Sequence, residues 1–241
     1  MKIILLNFIS FVCIQTAFSQ HNLSITPSLG ISKIAIRADY LKPFKLNQET
    51  STRFRESFGL NVDYRYDFNK ISISTGLGLT TISGKQEETF IKESFNGAFY
   101  ESTTMNLAKN RSTLYASLPL VFSITNNKLT FGIGYQIMAS LSSRTQVMRY
   151  ADIDSENPTL LSDYPAGKTT RSIDYGAIFQ CGYQIMPRAT IIAKAYIGVN
   201  DISYGNEIRQ ASSFPNPPST HQLYSRQFTI GFSYQFLRRP V

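Results

Sequence analysis

At 241 residues the chain is long enough for one domain of ordinary size. Its formal charge of +8 and pI ≈ 9.4 would suit a nucleic-acid partner, but Lys and Arg are scattered among connecting segments with Asp and Glu between them and form no basic run, which excludes that class. With 17 Phe, 14 Tyr, no Trp and a mean hydropathy of -0.14, apolar and polar residues average out, as they do in alternating strands with one apolar face.

The N-terminus carries Lys2, a predominantly apolar stretch over 3–12, and a more polar segment ending in Ala17, Phe18 and Ser19. That order is the layout of a secretory signal peptide. Cleavage is expected after Ser19, which makes 1–19 the signal peptide and 20–241 the mature domain. The apolar core falls well short of the roughly 20 residues a membrane-spanning helix needs. Val12 stands before Cys13 where lipid attachment would want a small residue, so no lipid anchor is expected. Cys181 is then left without a partner for a disulfide. No later segment has the long apolar run of a spanning helix, so the exported chain is either soluble or inserted as a barrel.

A repeated period of two decides the fold class. Leu23, Ile25, Leu29 and Ile31 mark a first strand. In the second, Phe58, Leu60, Val62, Tyr64, Tyr66 and Phe68 alternate with Gly59, Asn61, Asp63, Arg65 and Asp67. Asn69-Lys70 then turns into a third strand with Ile71, Ile73, Leu77 and Leu79 against Ser72, Ser74, Gly76, Gly78 and Thr80. Leu114, Ala116, Leu118, Leu120, Phe122 and Ile124 lead through Asn126, Asn127 and Lys128 to Leu129, Phe131, Ile133, Tyr135, Ile137 and Leu141. Ile173, Tyr175, Ala177, Phe179, Cys181, Tyr183 and Ile185 lead through Met186, Pro187 and Arg188 to Ala189, Ile191, Ala193, Ala195, Ile197 and Val199. Phe228, Ile230, Phe232, Tyr234 and Phe236 complete eight strands.

Three connections are tight turns, and four are long and polar, over 32–57, 83–112, 142–171 and 200–226. An outer-membrane barrel has this asymmetry, with short turns in the periplasm and longer loops outside the cell. The expected fold is therefore all-β: an eight-stranded antiparallel up-and-down transmembrane β-barrel. A soluble sandwich or lipocalin would bury its apolar face and place charge on the outer one. Here the apolar face carries no charge on any strand, as hydrocarbon demands, since Arg or Lys near the midplane costs about 2–4 kcal/mol.

The last strand, running from Thr229 through Gly231, Phe232 and Tyr234 to Phe236, resembles the C-terminal signal read by the barrel assembly machinery. It departs from the pattern in that Leu237 to Val241 follow the terminal Phe. The segments Tyr115-Ala116-Ser117-Leu118-Pro119-Leu120-Val121-Phe122, Asp174-Tyr175-Gly176 and Ala195-Tyr196-Ile197-Gly198-Val199-Asn200-Asp201-Ile202 are similar to recurring stretches of the PorT-like outer-membrane β-barrel family. The resemblance implies the same fold and location. It transfers no catalytic residue, and the protein that names the family is tied to a secretion system.

Hydrolytic chemistry on a barrel needs an imidazole beside a hydroxyl. The chain offers only His21 and His221, the latter near Ser219, and their spacing makes no metal site. No catalytic, metal or cofactor site is expected. Asp63, Arg65, Asp174 and Lys194 all have the polar parity of their strands and should point into the lumen. They are expected to form an ion-pair network that plugs it; the competing reading is a path for solutes. Inward glycines at 76, 78, 132, 134, 176, 182 and 231 should give space to long side chains. Tyr64, Tyr66, Phe68, Tyr183, Tyr234 and Phe236 fit an aromatic girdle at the membrane interface. The expected role is non-enzymatic, in envelope structure or in assembly through loop contacts with an envelope protein. The basic excess suits outer-membrane lipid and lipopolysaccharide. A narrow transporter is the second reading and a lipid-modifying enzyme the third.

Overall fold

The computed structural model describes residues 19–38, 49–95, 100–150, 159–165, 173–200, 202 and 221–239. The segment ahead of Ser19, which carries the expected signal peptide, lies outside them, as does the proline-rich stretch at 214–218.

Nine strands follow one another: β1 (Ser19–Ala38), β2 (Glu49–Phe68), β3 (Ile71–Phe95), β4 (Tyr100–Asn126), β5 (Leu129–Tyr150), β6 (Thr159–Pro165), β7 (Ile173–Met186), β8 (Ala189–Gly198) and β9 (His221–Arg239). Eight of them close a ring in the order β1-β2-β3-β4-β5-β7-β8-β9, sealed by antiparallel pairing of β9 with β1. This is the eight-stranded barrel that the alternation predicts. Strand β6 is an addition, paired outside the ring to the far end of β5.

Local chemistry shapes the tight ends. Asn69 and Asn127, each the first residue of a two-residue turn, sit at φ of 56° and 55°. Asparagine tolerates this left-handed backbone better than most side chains, and a positive first φ matches the twist of the flanking strands. Pro187 opens the third turn, and its ring locks φ near about −65°. The register slips there between Gln184 and Met186, so Ile185 becomes a bulge that supplies the bend. Each turn is joined to the next strand of the ring, because the carbonyls of Lys70, Lys128 and Arg188 accept the amides of Thr125, Gln184 and Gln235 at 2.7, 2.8 and 2.8 Å.

Side chains are sorted inside out relative to a soluble protein. Leu29, Phe58, Leu77, Leu120, Phe131, Phe179, Ile191 and Ile230 put an exposed apolar side chain on the outer face of every ring strand, while Ser32, Ser72 and Ser225 are buried within. Leaving one such apolar side chain in water rather than burying it costs about 1.5–3 kcal/mol. A belt of them around the whole ring matches hydrocarbon, not water.

The alternation slips where the ladder does. Leu114 pairs with Ser142 and Tyr115 with Ser140, which leaves Leu141 as an extra residue on β5. Beyond it the parity flips: Thr145 is buried, and the Thr113 and Ser143 hydroxyls meet at 2.8 Å. The inward glycines also divide into two groups. A Cβ at Gly78 would strike the Asn61 side chain and one at Gly132 the Gln180 side chain, which is the expected making of room. At Gly134 it would run into the Leu120 carbonyl, so this glycine lets two backbones approach.

The loops need the larger correction. Residues 83–112 read as a polar loop, yet β3 and β4 stay paired from Ser83↔Ser112 to Phe95↔Tyr100. Strands β2 and β5 accompany them as far as Glu49↔Thr89 and Asn106↔Tyr150. Strand β3 has 25 residues; at about 3.4 Å each it far exceeds an apolar band about 25 Å tall. Beyond the band, from Ser83 to Glu93, its sequence no longer alternates apolar with polar residues, which removes the trace that reveals a strand in sequence.

On this rising hairpin Glu87 receives Arg53 Nε at 2.9 Å and Lys85 Nζ at 2.7 Å, and the Ser51 hydroxyl donates to it at 3.3 Å. Partial burial pushes its carboxyl up, but Lys85, Arg53 and Ser51 outweigh burial and hold it below the ordinary glutamate value. A depressed folded value means the stabilisation is complete above the unfolded glutamate pKa, about 4.3, and is lost as pH falls through the folded one. Amide protection at 51–53 and 85–87 should therefore decline on acidification below about pH 4.3, and should decline less in Glu87→Gln. Hydrogen exchange followed by mass spectrometry reads this directly. For the turns, Asn127→Gly should leave the urea midpoint unchanged or raise it, whereas Asn127→Val should cost about 1–2 kcal/mol; a glycine variant that unfolds more easily would contradict the left-handed turn.

Candidate functional site

The lumen is the place where polar chemistry converges, and it is built in layers. At the turn end lies a floor. Arg65 Nε meets Asp67 Oδ1 at 2.5 Å and Arg65 Nη2 donates to Thr125 Oγ1 at 3.0 Å. Asn22 Nδ2 donates to Asp67 Oδ2 at 2.6 Å, and the Thr125 and Thr130 hydroxyls meet at 3.1 Å. The network ties β1, β2, β4 and β5 together. Arg65 thus takes Asp67, two residues along its own strand, as its ion-pair partner.

Above the floor is a cavity of about 60 Å³, lined by Asp63, Arg65, Gln180, Lys194 and Ser233 among others. Asp63 accepts the Thr26 hydroxyl at 3.2 Å. It interacts electrostatically with Lys194 across the cavity, and no direct ion pair joins them among the described residues. Such a space suits a few waters and is far below the roughly 300–1,000 Å³ of a ligand pocket. Buried Gln227 of β9 donates to Ser57 of β2 and to Thr80 of β3 at 2.8 Å, bracing three strands from within.

The loop end is closed by a different material. Tyr115, Tyr196, Met138, Ile82 and Ile178 are each at most 2% exposed and form one cluster with Ile34, Val121, Ile202 and Leu223. Ser32 Oγ donates to the Ser83 carbonyl at 3.0 Å and accepts its amide at 2.7 Å, drawing β1 and β3 together across the mouth. Ile202 follows β8 back into this cluster, its amide bonded to the Leu223 carbonyl at 2.9 Å.

Asp174 belongs to this upper layer. It is fully buried, accepts the Ser225 hydroxyl, and lies beside Tyr115 and Tyr196. The four inward charges therefore do not form one network. Asp63, Arg65 and Lys194 share the lower cavity, and Asp174 stands apart among tyrosines. The sequence reading missed the plug because it assigned aromatic residues to the outer girdle. The available signal was that Tyr115, Met138, Ile178 and Tyr196 carry lumen parity.

The remaining singled-out residues lie on the wall. Gly231 is buried, facing Ser28 on β1 and Ile192 on β8. Tyr234 and Phe236 point outward, 44% and 47% exposed. Leu23 pairs with Leu237 and Ser24 with Gln235, so Phe236 is the extra residue of a bulge in the closing seam. The tail that departs from the assembly-signal pattern continues as strand to Arg239, opposite His21. His21 is exposed at the turn end with its Nδ1 2.5 Å from Tyr64 Oη, and its ring 4.9 Å from that of Tyr66, placing it in the aromatic girdle. The side chain of His221 lies outside the described residues. Among the described residues no group of three or more His, Cys, Asp or Glu could hold a metal ion.

No protein-family model matches the chain, and no curated protein does. Among solved structures it is similar to Neisserial surface protein A, at 11% identity over 89% of this chain and 97% of that one, with a TM-score of 0.36. It is similar also to Ail, the attachment invasion locus protein of Yersinia pestis, at 12% identity over 89% and 99%, TM-score 0.32. A third is the outer membrane protease OmpT from Escherichia coli, at 10% identity over 91% and 97%, TM-score 0.41. At such identities and TM-scores the likeness transfers no residue role. The PorT-like resemblance rests on the short sequence segments alone.

Asp63 and Lys194 line one partly open cavity, so removing either leaves the other half-buried charge without its counterpart. Lys194→Ala should lower the stability of the folded barrel by about 3 kcal/mol, at the lower end for buried pairs because water shares the cavity, without opening an ion path. Urea unfolding and planar-bilayer conductance test the two halves. A stable variant that conducts would mean that the charges line a route.

Proposed function

We propose that the chain is an integral outer-membrane β-barrel, exported by its signal peptide and folded by the barrel assembly machinery, that catalyses no reaction. Its role is to hold a strand-built extension outside the cell for contact with outer-leaflet lipid, lipopolysaccharide or an envelope partner. The observation that carries this reading is a closed ring with a continuous apolar belt outside and a filled lumen inside.

Each part of the alternative roles meets an obstacle. A transporter needs a continuous path, whereas here a cavity of about 60 Å³ lies between a hydrogen-bonded floor and a tyrosine and aliphatic plug. A hydrolase would want an imidazole beside a hydroxyl and an acid, whereas His21 faces outward within aromatic rings. The extension is the largest investment in structure beyond the belt, with β2, β3, β4, β5 and β6 paired well past it. A secretion-linked assembly role of the PorT-like kind is one form this contact could take.

The membrane assignment is tested by paired substitutions. Leu120→Arg places a charge on the belt and should cost about 2–4 kcal/mol of insertion free energy, while Thr190→Ser, in the cavity lining, should be tolerated. Folding into lipid vesicles, scored by heat-modifiable gel mobility, reads both. Equal tolerance of the two, or recovery of the parent as a soluble monomer, would overturn the proposal.

A further inference from the structure

Belt and rim meet abruptly along the seam between β1 and β9. Ile31 stands opposite Phe228, each 46% exposed on the outer face, and one outward step toward the loop end Lys33 stands opposite Arg226. The flanking Ser32, Ile34, Ser225 and Gln227 are all buried, so alternation turns Lys33 and Arg226 outward. Like charges directly across an antiparallel pair, with Cβ atoms about 4.5–5.5 Å apart, repel each other.

Neither residue has an ion-pair partner among the described residues. Glu56 on the next strand, opposite Ile31, is an exposed carboxylate 3.9 Å from Arg55 Nε, and no ion pair joins it to Lys33 or Arg226 among the described residues. Lys33 Nζ lies 5.1 Å from the centre of the Phe54 ring, which orients the ammonium without neutralising it. Directly below are Leu29, Ile31, Phe228 and Ile230, all exposed and apolar. Two unpaired cations over an apolar wall match a ligand with an anionic head and hydrocarbon chains.

From this placement we infer that Lys33 and Arg226 form a binding site for the phosphate of an outer-leaflet glycolipid, whose acyl chains lie against Leu29, Ile31, Phe228 and Ile230. The inference rests on the membrane reading above and gives its lipid contact a location. A phosphate oxygen set can accept from both side chains at once, converting the cross-strand repulsion into two charge-assisted hydrogen bonds. A free phosphate would share the cations but leave the apolar wall unused.

The test uses the full chain folded in detergent and titrated, by native mass spectrometry, with bisphosphorylated lipid A, with dephosphorylated lipid A, and with inorganic phosphate. The parent should hold the phosphorylated lipid roughly tenfold more tightly than the dephosphorylated one. Lys33→Gln combined with Arg226→Gln should abolish that preference, Lys33→Arg should keep it, and Arg226→Gln alone, which serves if the pair misfolds, should weaken it. Equal binding of the two lipids by the parent, an unchanged preference in the folded double variant, or displacement of the lipid by matched inorganic phosphate would each overturn the site. Heat-modifiable mobility separates the two levels. A folded barrel without phosphate preference removes this site alone, whereas a chain recovered soluble without detergent removes the membrane reading beneath it.

Discussion

Everything in this molecule depends on one pairing, that of β9 with β1. A strand in hydrocarbon has no water to satisfy its amides and carbonyls, so a sheet can cross a membrane only when its two edges satisfy each other. The contact runs from His21↔Arg239 to Ala38↔His221, nearly the full length of both strands. Its one irregularity, the bulge at Phe236, lies at the turn end, where the chain leaves the belt.

Closing the ring creates an interior that must be filled, and two materials fill it. Toward the turn end the chain uses polar groups that satisfy one another, as Arg65, Asp67, Asn22 and Thr125 do. Toward the loop end it uses bulk, with Tyr115, Tyr196, Met138, Ile82 and Ile178 packed as a soluble core would be. The polar half fixes register through directional bonds, and the apolar half excludes water by volume. Gln227, reaching Ser57 and Thr80, braces β9 against β2 and β3 from within.

Outside, the same strands cross three environments, and their residues change accordingly. Within the belt the outer face is apolar and the inner face small or polar. At the rim Lys33, Glu56 and Arg226 mark the end of hydrocarbon. Beyond it, β3 and β4 continue as a hairpin held by pairing and by charge clusters such as Arg53, Lys85 and Glu87. The wall also divides there, because β1 leaves β2 after Ser32↔Arg55 and continues with β9 alone.

The sequence by itself determined the class of fold, the number of ring strands, the three tight turns and the side of each strand that faces out. It could do so because each is a local matter: period-two alternation where one face is greasy, and Asn-Lys or Pro-Arg where the chain reverses. It pointed Asp63, Arg65, Asp174 and Lys194 inward by parity. Only the tertiary structure decided which of them meet, because Asp63 and Arg65 on β2 face Lys194 on β8 across the lumen, between strands that no turn connects. The long outer hairpin and β6 were equally illegible, since their sequences carry no sustained alternation of apolar and polar residues. Asp174 and Lys194 are kept apart by register, since Lys194 stands opposite Gln180, six residues along β7 from Asp174, whereas the meeting of Lys33 with Arg226 from opposite ends of the chain is a decision that only closure could make.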